Sequence, residues 1–404
     1  MKSGWKTKTL DESCQFSNGL WKGEKPPFVN VGVIRNTNFT KDGALDDSDI
    51  AYLDVEASKY EKRRLQFGDI ILEKSGGGPK QPVGRVALFD KHEGDFSFSN
   101  FTAALRVRNP YELDFRFLHK FLFWTYVSGV TEGMQSHSTG IRNLDGDAYK
   151  AILIAFPPLP EQQRIVGILE EAFKGIETAK ANAEKNLNNA RALFEGHLQS
   201  VFTRRGEGWV DTTIGHLVRF IDYRGKTPVK TESGLRLITA KNVKMGYVQE
   251  SPMEFIAPEN YNSWMTRGIP QKGDVLFTTE APLANVAQLD TDEKVAFAQR
   301  IIIMQPDALK LDRTFLKYLL LSRPVQERIH AKGTGATVKG IKASLLKTIE
   351  ISFPKSVTEQ RQIVGKLDNL REETQRLAAI YQSKLACIEE VKISLLEQAF
   401  SGRL

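Results

Sequence analysis

Cysteine is nearly absent. The 404 residues contain two, Cys14 and Cys387, too far apart in the chain to build a disulfide framework, which fits a reducing compartment. Long apolar runs are missing too: none approaches the roughly 18 residues a membrane helix needs. The opening MKSGWKTKTLDESC lacks the apolar stretch of a signal peptide. Together these absences predict a cytoplasmic protein. The charge is only mildly one-sided, at +7 with a pI near 9.1, which suits nucleic acid but equally suits plain solubility.

Several kinds of chemistry lack their residues. An amino-methyltransferase would carry Asn/Asp-Pro-Pro-Tyr/Phe, whose first side chain accepts from the target amino group. The nearest string is KPPF, and Lys25 has only donors to offer. NPY at 109–111 lacks the second proline. GGGPKQPVGR (76–85) is glycine-rich, but no Gly-Lys-Ser/Thr follows to hold phosphate and magnesium. It reads instead as a loop whose glycines let backbone approach a surface. The six histidines are scattered, with no pair at metal-ligand spacing. Pro306-Asp307 stands without the acidic-x-Lys of a nuclease. The expectation is a chain that is not an enzyme and holds no metal or cofactor.

What is present is repetition. PLPEQQRIVGIL (158–169) returns as VTEQRQIVGKL (357–367), and Glu161–Leu169 matches Glu359–Leu367 at six of nine positions with an offset of 198. Upstream, FGDIILEK (67–74) resembles KGDVLFTT (272–279), RVALFD (85–90) resembles NVAQLD (285–290), and LDFRFL (113–118) resembles LDRTFL (311–316). GWKTKTL (4–10) lines up with GWVDTTI (208–214). The order is the same in both halves, so the chain is a tandem duplication of a unit of about 200 residues, within the usual size of a domain. By contrast, 19–47 shows no close counterpart in the second half.

Short apolar runs broken by Gly, Pro, Asn and Asp read as strands at 28–33, 69–73, 86–89 and 101–107. In the second half they fall at 235–239, 274–278, 286–289 and 297–304. A helix with a capping aspartate follows in each half, at 114–127 and 312–321. Then the pattern changes. Residues 161–202 and 359–400 contain no proline, and prolines just before each run block extension backwards. Apolar residues recur at heptad spacing: Ile165, Leu169, Ile176 and Leu193 with intervening alanines, then Ile363, Leu367, Leu370, Leu377, Ile388 and Leu395. This is a coiled-coil seam. Asn186 and Lys384 fall at the same place in it, either as a register-fixing polar layer or where the heptad drifts toward solvent. Gly167 and Gly365 suggest close packing against the sister helix or a partner. Phe194, Phe202 and Phe400 near the helix ends are candidate contacts with the globular parts.

The predicted fold is therefore α/β (mixed) domains in two copies, separated by two long α-helices that form an antiparallel coiled coil, with a pseudo-twofold internal repeat. The segments are 1–156, 157–205, 206–353 and 354–404. Proteins with such symmetry read two DNA half-sites at a fixed spacing. The alternative is a coiled-coil scaffold joining two protein-binding domains without touching DNA.

The plan of globular domain, long helix, globular domain, long helix, with FPPLPEQQRIVGIL entering one helix and TEQRQIVGKL the other, resembles the specificity (S) subunit of a Type I restriction–modification system. DYRGKTPVKTESGLRLITAKNVKMG (222–246) is similar to the opening of target-recognition domains in that family, as is GTGATVKGI (333–341) before the second helix. The resemblance covers nearly the whole chain. It implies a non-catalytic subunit whose two target-recognition domains each read one half of a split double-stranded DNA target, and the divergent 19–47 predicts that the halves differ, making the target asymmetric and bipartite. It also implies two methyltransferase (M) subunits, which carry S-adenosylmethionine, and two restriction/motor (R) subunits joined through them.

Base reading uses Arg, Lys, Asn, Gln, Ser or Thr on loops, and phosphates take Lys, Arg and backbone amides. The first-domain candidates are Arg35, Asn36, Asn38, Lys74, Ser75, Lys80, Gln81 and Arg85. Those of the second are Arg224, Lys226, Thr227, Lys241, Asn242, Lys244, Thr278, Thr279 and Asn285. The loops before the long helices add Thr139, Arg142, Thr337, Lys339 and Lys342.

Overall fold

The halves that repeat in sequence repeat in topology. The computed structural model describes residues 4–404 apart from 21–22, 79–80, 139–140, 224–226 and 336, with backbone alone at 137–138. The chain divides into two units, 1–184 with 383–404, and 185–382. Each unit therefore takes one globular domain and a stretch of both long helices.

The first unit is built on an antiparallel sheet of four strands in the order Cys14–Asn18, Thr102–Val107, Ile70–Glu73, Val86–Leu88. All four residues of Ile70–Glu73 are buried, so both faces of this strand are covered and its sequence runs apolar rather than alternating. A second sheet places Phe28–Ile34 between antiparallel Ala51–Glu56 and parallel Phe96–Phe98. Lys6–Thr9 pairs with Leu153–Phe156, the strand that leads into the first long helix. The helix Phe115–Val127 begins at Asp114, whose carboxylate accepts from the N–H groups of Arg116 and Phe117 and so satisfies two orphan donors.

The second unit repeats this arrangement with Val218–Asp222, Ile301–Pro306, Val275–Thr278 and Val286–Gln288. Leu235–Ile238 lies between antiparallel Glu254–Ile256 and parallel Ala296–Phe297. Trp209–Thr213 pairs with Glu350–Pro354, and Asp312 caps Arg313–Leu321. Two differences from the sequence reading stand out. The expected strand 297–304 is interrupted, because Arg300 takes a left-handed φ of 78°. A further helix, Arg323–Lys332 with proline in its first turn, follows 313–321.

A third difference is a correction: 28–38 does have a counterpart. Asn38 and Asn242 occupy the same place after the middle strand of the three-stranded sheet. Asn38 Oδ1 accepts from Arg35 N–H, and its Nδ2 donates to the Asp46 and Asp49 carbonyls. Asn242 Oδ1 accepts from Thr239 N–H, and its Nδ2 donates to the Gln249 and Glu250 carbonyls. The shared signal, Ile-x-x-x-Asn (34–38 and 238–242), was too sparse to see beneath divergent neighbours.

The long helices are Leu159–Thr203 and Val357–Phe400. Within the first unit they run antiparallel, with Arg164 donating to the Leu404 carbonyl and Lys180 pairing with Glu389 at 2.6 Å. Within the second, Leu198 and Leu367 share one core. Of the seam residues, Ile165, Leu169 and Leu367 are buried, and Ile176, Ile363, Leu370, Leu377, Ile388 and Leu395 are partly buried. Leu193 is a correction. It is 54% exposed, and Ala190, Phe194 and Leu198 turn inward instead. Likewise Val391 is exposed while Lys392 and Leu396 are buried. A helix turns in 3.6 residues, not 3.5, so an uninterrupted heptad count slips about 20° per repeat until it names the wrong neighbour. Lys384 is exposed and Asn186 half-buried. Gly167 and Gly365 are exposed, and a Cβ on either would meet nothing within 4 Å, so the sister helix does not press on them.

The domain and helix pair share a core in each unit. Phe400 packs on Phe117, Phe121 and Trp124, and Phe202 packs on Trp209 and Phe315, with ring centroids 5.3–6.2 Å apart. Phe194 lies 6.2 Å from Tyr318. Matching glutamines close each joint. Gln162, fully buried, accepts from Asp114 N–H and donates to the carbonyls of Glu112 and Pro157. Gln360 does the same with Asp312, Lys310 and Pro354.

Candidate nucleic-acid interface

In the first unit the candidate loops meet around one buried carboxylate. Glu73 ends the strand Ile70–Glu73 with no exposed surface, and Arg85 grips it through Nε at 2.7 Å and Nη2 at 3.0 Å. A buried charge needs such a partner. Arg85 also donates to the Asn36 carbonyl, and the Asn36 side chain donates to Glu73 at 3.1 Å. Turn 35–38 and the glycine loop are thereby tied to the same sheet edge. Gly76 takes a left-handed φ of 95°, which favours glycine, and packs close to the Asn36 amide. Ser75–Gly77 then pairs with Ile141–Leu144, and the Ser75 hydroxyl donates to Asn143. The pre-helix loop and the glycine loop thus form one surface.

The second unit does the equivalent with fewer strands. Thr278 accepts from Asn285 N–H at 2.9 Å, and Asn285 Nδ2 donates to the Val243 carbonyl. Thr279 donates through N–H and Oγ1 to the Arg300 carbonyl, and its own carbonyl takes Ile341 N–H. Glu280 and Thr334 bridge to Gly340. A cleft of about 280 Å³ opens between these segments.

These contacts divide the candidates. Asn38, Asn242, Thr278 and Thr279 are buried, and Arg85 nearly so. Their polar groups are spent on the protein's own backbone and on Glu73. They shape loops and present nothing to a groove, which corrects the sequence reading that made them contact residues. Arg35, paired with Asp49, is half-buried, as are Asn36, Lys74, Ser75, Arg142, Lys244 and Asn285. Lys74 donates to Asn18, and burial lowers its pKa. Arg142 reaches Gln135. Gln81, Thr227, Lys241, Thr337, Lys339 and Lys342 are exposed. Lys80, Thr139, Arg224 and Lys226 lie outside the described residues. Thr37, the exposed counterpart of Lys241 on the matched turns, and Phe101, 45% exposed beside the glycine loop, were not among the candidates. Nor was Arg300, which is exposed and stands in the sequence as a lone Gln-Arg breaking the apolar run AFAQRIIIM.

Among the described residues no helix is long and apolar enough to cross a membrane. The family description "Type I restriction modification DNA specificity domain" matches the chain twice, over 2–188 and 207–382. The chain is 24% identical over 291 residues to the Type I restriction enzyme MjaVIII specificity subunit of Methanocaldococcus jannaschii, an alignment spanning 67% of this chain and 66% of that one. It is 25% identical to the EcoKI specificity subunit of Escherichia coli across 48% of this chain and 40% of that one. The HsdS subunit of Thermoanaerobacter tengcongensis shares the fold with a TM-score of 0.64 at 19% identity, covering 100% and 98% of the two chains. A chain from a type I R-M system studied for complex assembly and conformational transition superposes at 0.79, also at 19% identity, covering 100% and 99%.

Proposed function

We infer function from family membership: two type I restriction modification DNA specificity domains make up most of this protein, and the chain belongs to that family. It is the sequence-specific DNA-binding subunit of a Type I restriction–modification complex in a prokaryotic cytoplasm. One observation carries the reading. The same domain occurs twice, on units whose sheets match while their exposed loop residues do not, as Thr37 against Lys241 illustrates. Different loops read different half-sites, so the target is bipartite and asymmetric. The chain itself does no chemistry; methyl transfer from S-adenosylmethionine belongs to two methyltransferase subunits, and cleavage to two motor-nuclease subunits joined through them.

The uncovered Gly167 and Gly365, at matched places near the start of each helix, support a partner approaching there. Docked partners at two equivalent helix entries follow from the repeat. The test is to co-express the chain with its methyltransferase and map methylated adenines, expecting one split asymmetric motif. A scaffold that never touches DNA predicts no motif and no salt-dependent DNA binding by the complex. Gly167→Leu with Gly365→Leu should leave the chain folded and weaken methyltransferase capture in a pull-down.

A further inference from the structure

Among the described residues only three non-glycines have positive φ: Ala281, Ala284 and Arg300, all at one end of the second unit's sheet. Ala284 is buried, whereas Arg300 is exposed at the lip of the cleft that Thr279, Gly340 and Lys342 help to line. A long side chain at φ 78° is strained where glycine would not be, and such residues persist where their surroundings hold them. Here the holding is visible. The Arg300 carbonyl takes two hydrogen bonds from Thr279, at 2.9 and 3.3 Å, and Thr279 is itself buried. The backbone is therefore fixed while the guanidinium stays outside, with Nε 2.9 Å from Glu280. That ion pair is half in water on both sides, so it contributes little and is readily given up.

The geometry points to Arg300 as a base-reading residue of the second domain, taking a guanine in that domain's half-site. An arginine fork matches two acceptors side by side, and in the major groove guanine O6 and N7 offer that pair. Lys339 and Lys342, exposed nearby, are placed for the flanking phosphates. Buried Thr279, a candidate reader in the sequence, acts instead as the mount for this arginine. This inference rests on the proposed function and sharpens it by naming a specificity-determining residue.

The test uses the full chain co-expressed with its methyltransferase, with methylated adenines mapped for wild type, Arg300→Gly and Arg300→Lys. Glycine suits this backbone, so Arg300→Gly removes the side chain without harming the fold and should melt no lower than wild type. The expected result is that one guanine position, in one half-site only, loses about five- to 150-fold of its discrimination in Arg300→Gly. Arg300→Lys should lose part of it. The other half and the spacer should stay as they are. Retention of every position, or a uniform loss across all positions as a phosphate contact or a folding role would give, overturns the assignment. So does a melting temperature of Arg300→Gly below wild type. A wild-type complex that yields no split motif defeats the proposed function itself, and this inference with it.

Discussion

Gln162 and Gln360 show how much one buried amide can hold. Each satisfies an N–H at a helix start and two carbonyls while itself fully buried. Alanine at either site would strand those groups, and Gln162→Ala or Gln360→Ala should lose about 2–3 kcal/mol in a denaturant titration. The pair also explains why Glu-Gln is repeated across the offset of 198: the glutamine is the joint, while its glutamate neighbour stands in the first turn near the positive end of the helix dipole. A second matched pair, His119 and Lys317, holds buried bases on the helices Phe115–Val127 and Arg313–Leu321. Burial pushes His119 down to about 3 and Lys317 to about 8. With His119 the unfolded chain binds a proton near pH 6.5 that the folded chain refuses, so stability falls as pH drops below that value. His119→Leu should flatten this fall, by up to about 1.4 kcal/mol per pH unit, in melts compared at pH 7 and 5.

At the scale of elements, the seam decides which helix residues matter. Leu193 sits where an unbroken heptad puts a core residue, yet it faces water, while Leu198 is 1% exposed against the second domain. Leu198→Ala should cost about 2–4 kcal/mol and Leu193→Ala within about 0.5 kcal/mol, read from the same unfolding curves. The long helices themselves were plain in the sequence, because prolines mark their starts and apolar residues repeat along them. Their buried face was less plain, since 3.6 and 3.5 diverge only over many turns. Short strands such as Ser75–Gly77 and Ile141–Leu144 left no periodic signal: they exist through pairing, Ile141–Leu144 with Gln135–Ser138 on one side and Ser75–Gly77 on the other.

For the whole molecule, each long helix passes from one unit into the other. A heptad inserted into the central helix adds about 10 Å of rise, roughly three base pairs. Such an insertion at 184/185 should lengthen the spacer of the methylated motif and leave both half-sites unaltered. Altered half-sites with an unchanged spacer would refute the helices' part in spacing. The sequence by itself determined the duplication, the mixed α/β class and the two helices, because these follow from order, periodicity and punctuation that are local to the chain. Only the tertiary structure decided which polar residues remain free to meet DNA. Asn38, Asn242, Thr278, Thr279 and Arg85 read as contacts in one dimension. In three dimensions they turn inward, Asn38, Asn242 and Thr278 onto neighbouring backbone, Thr279 onto the Arg300 carbonyl and Arg85 onto Glu73, while Arg300, unremarked within an apolar run, keeps its side chain exposed beside Glu280. Exposure depends on what the rest of the chain covers, and no window of sequence contains that.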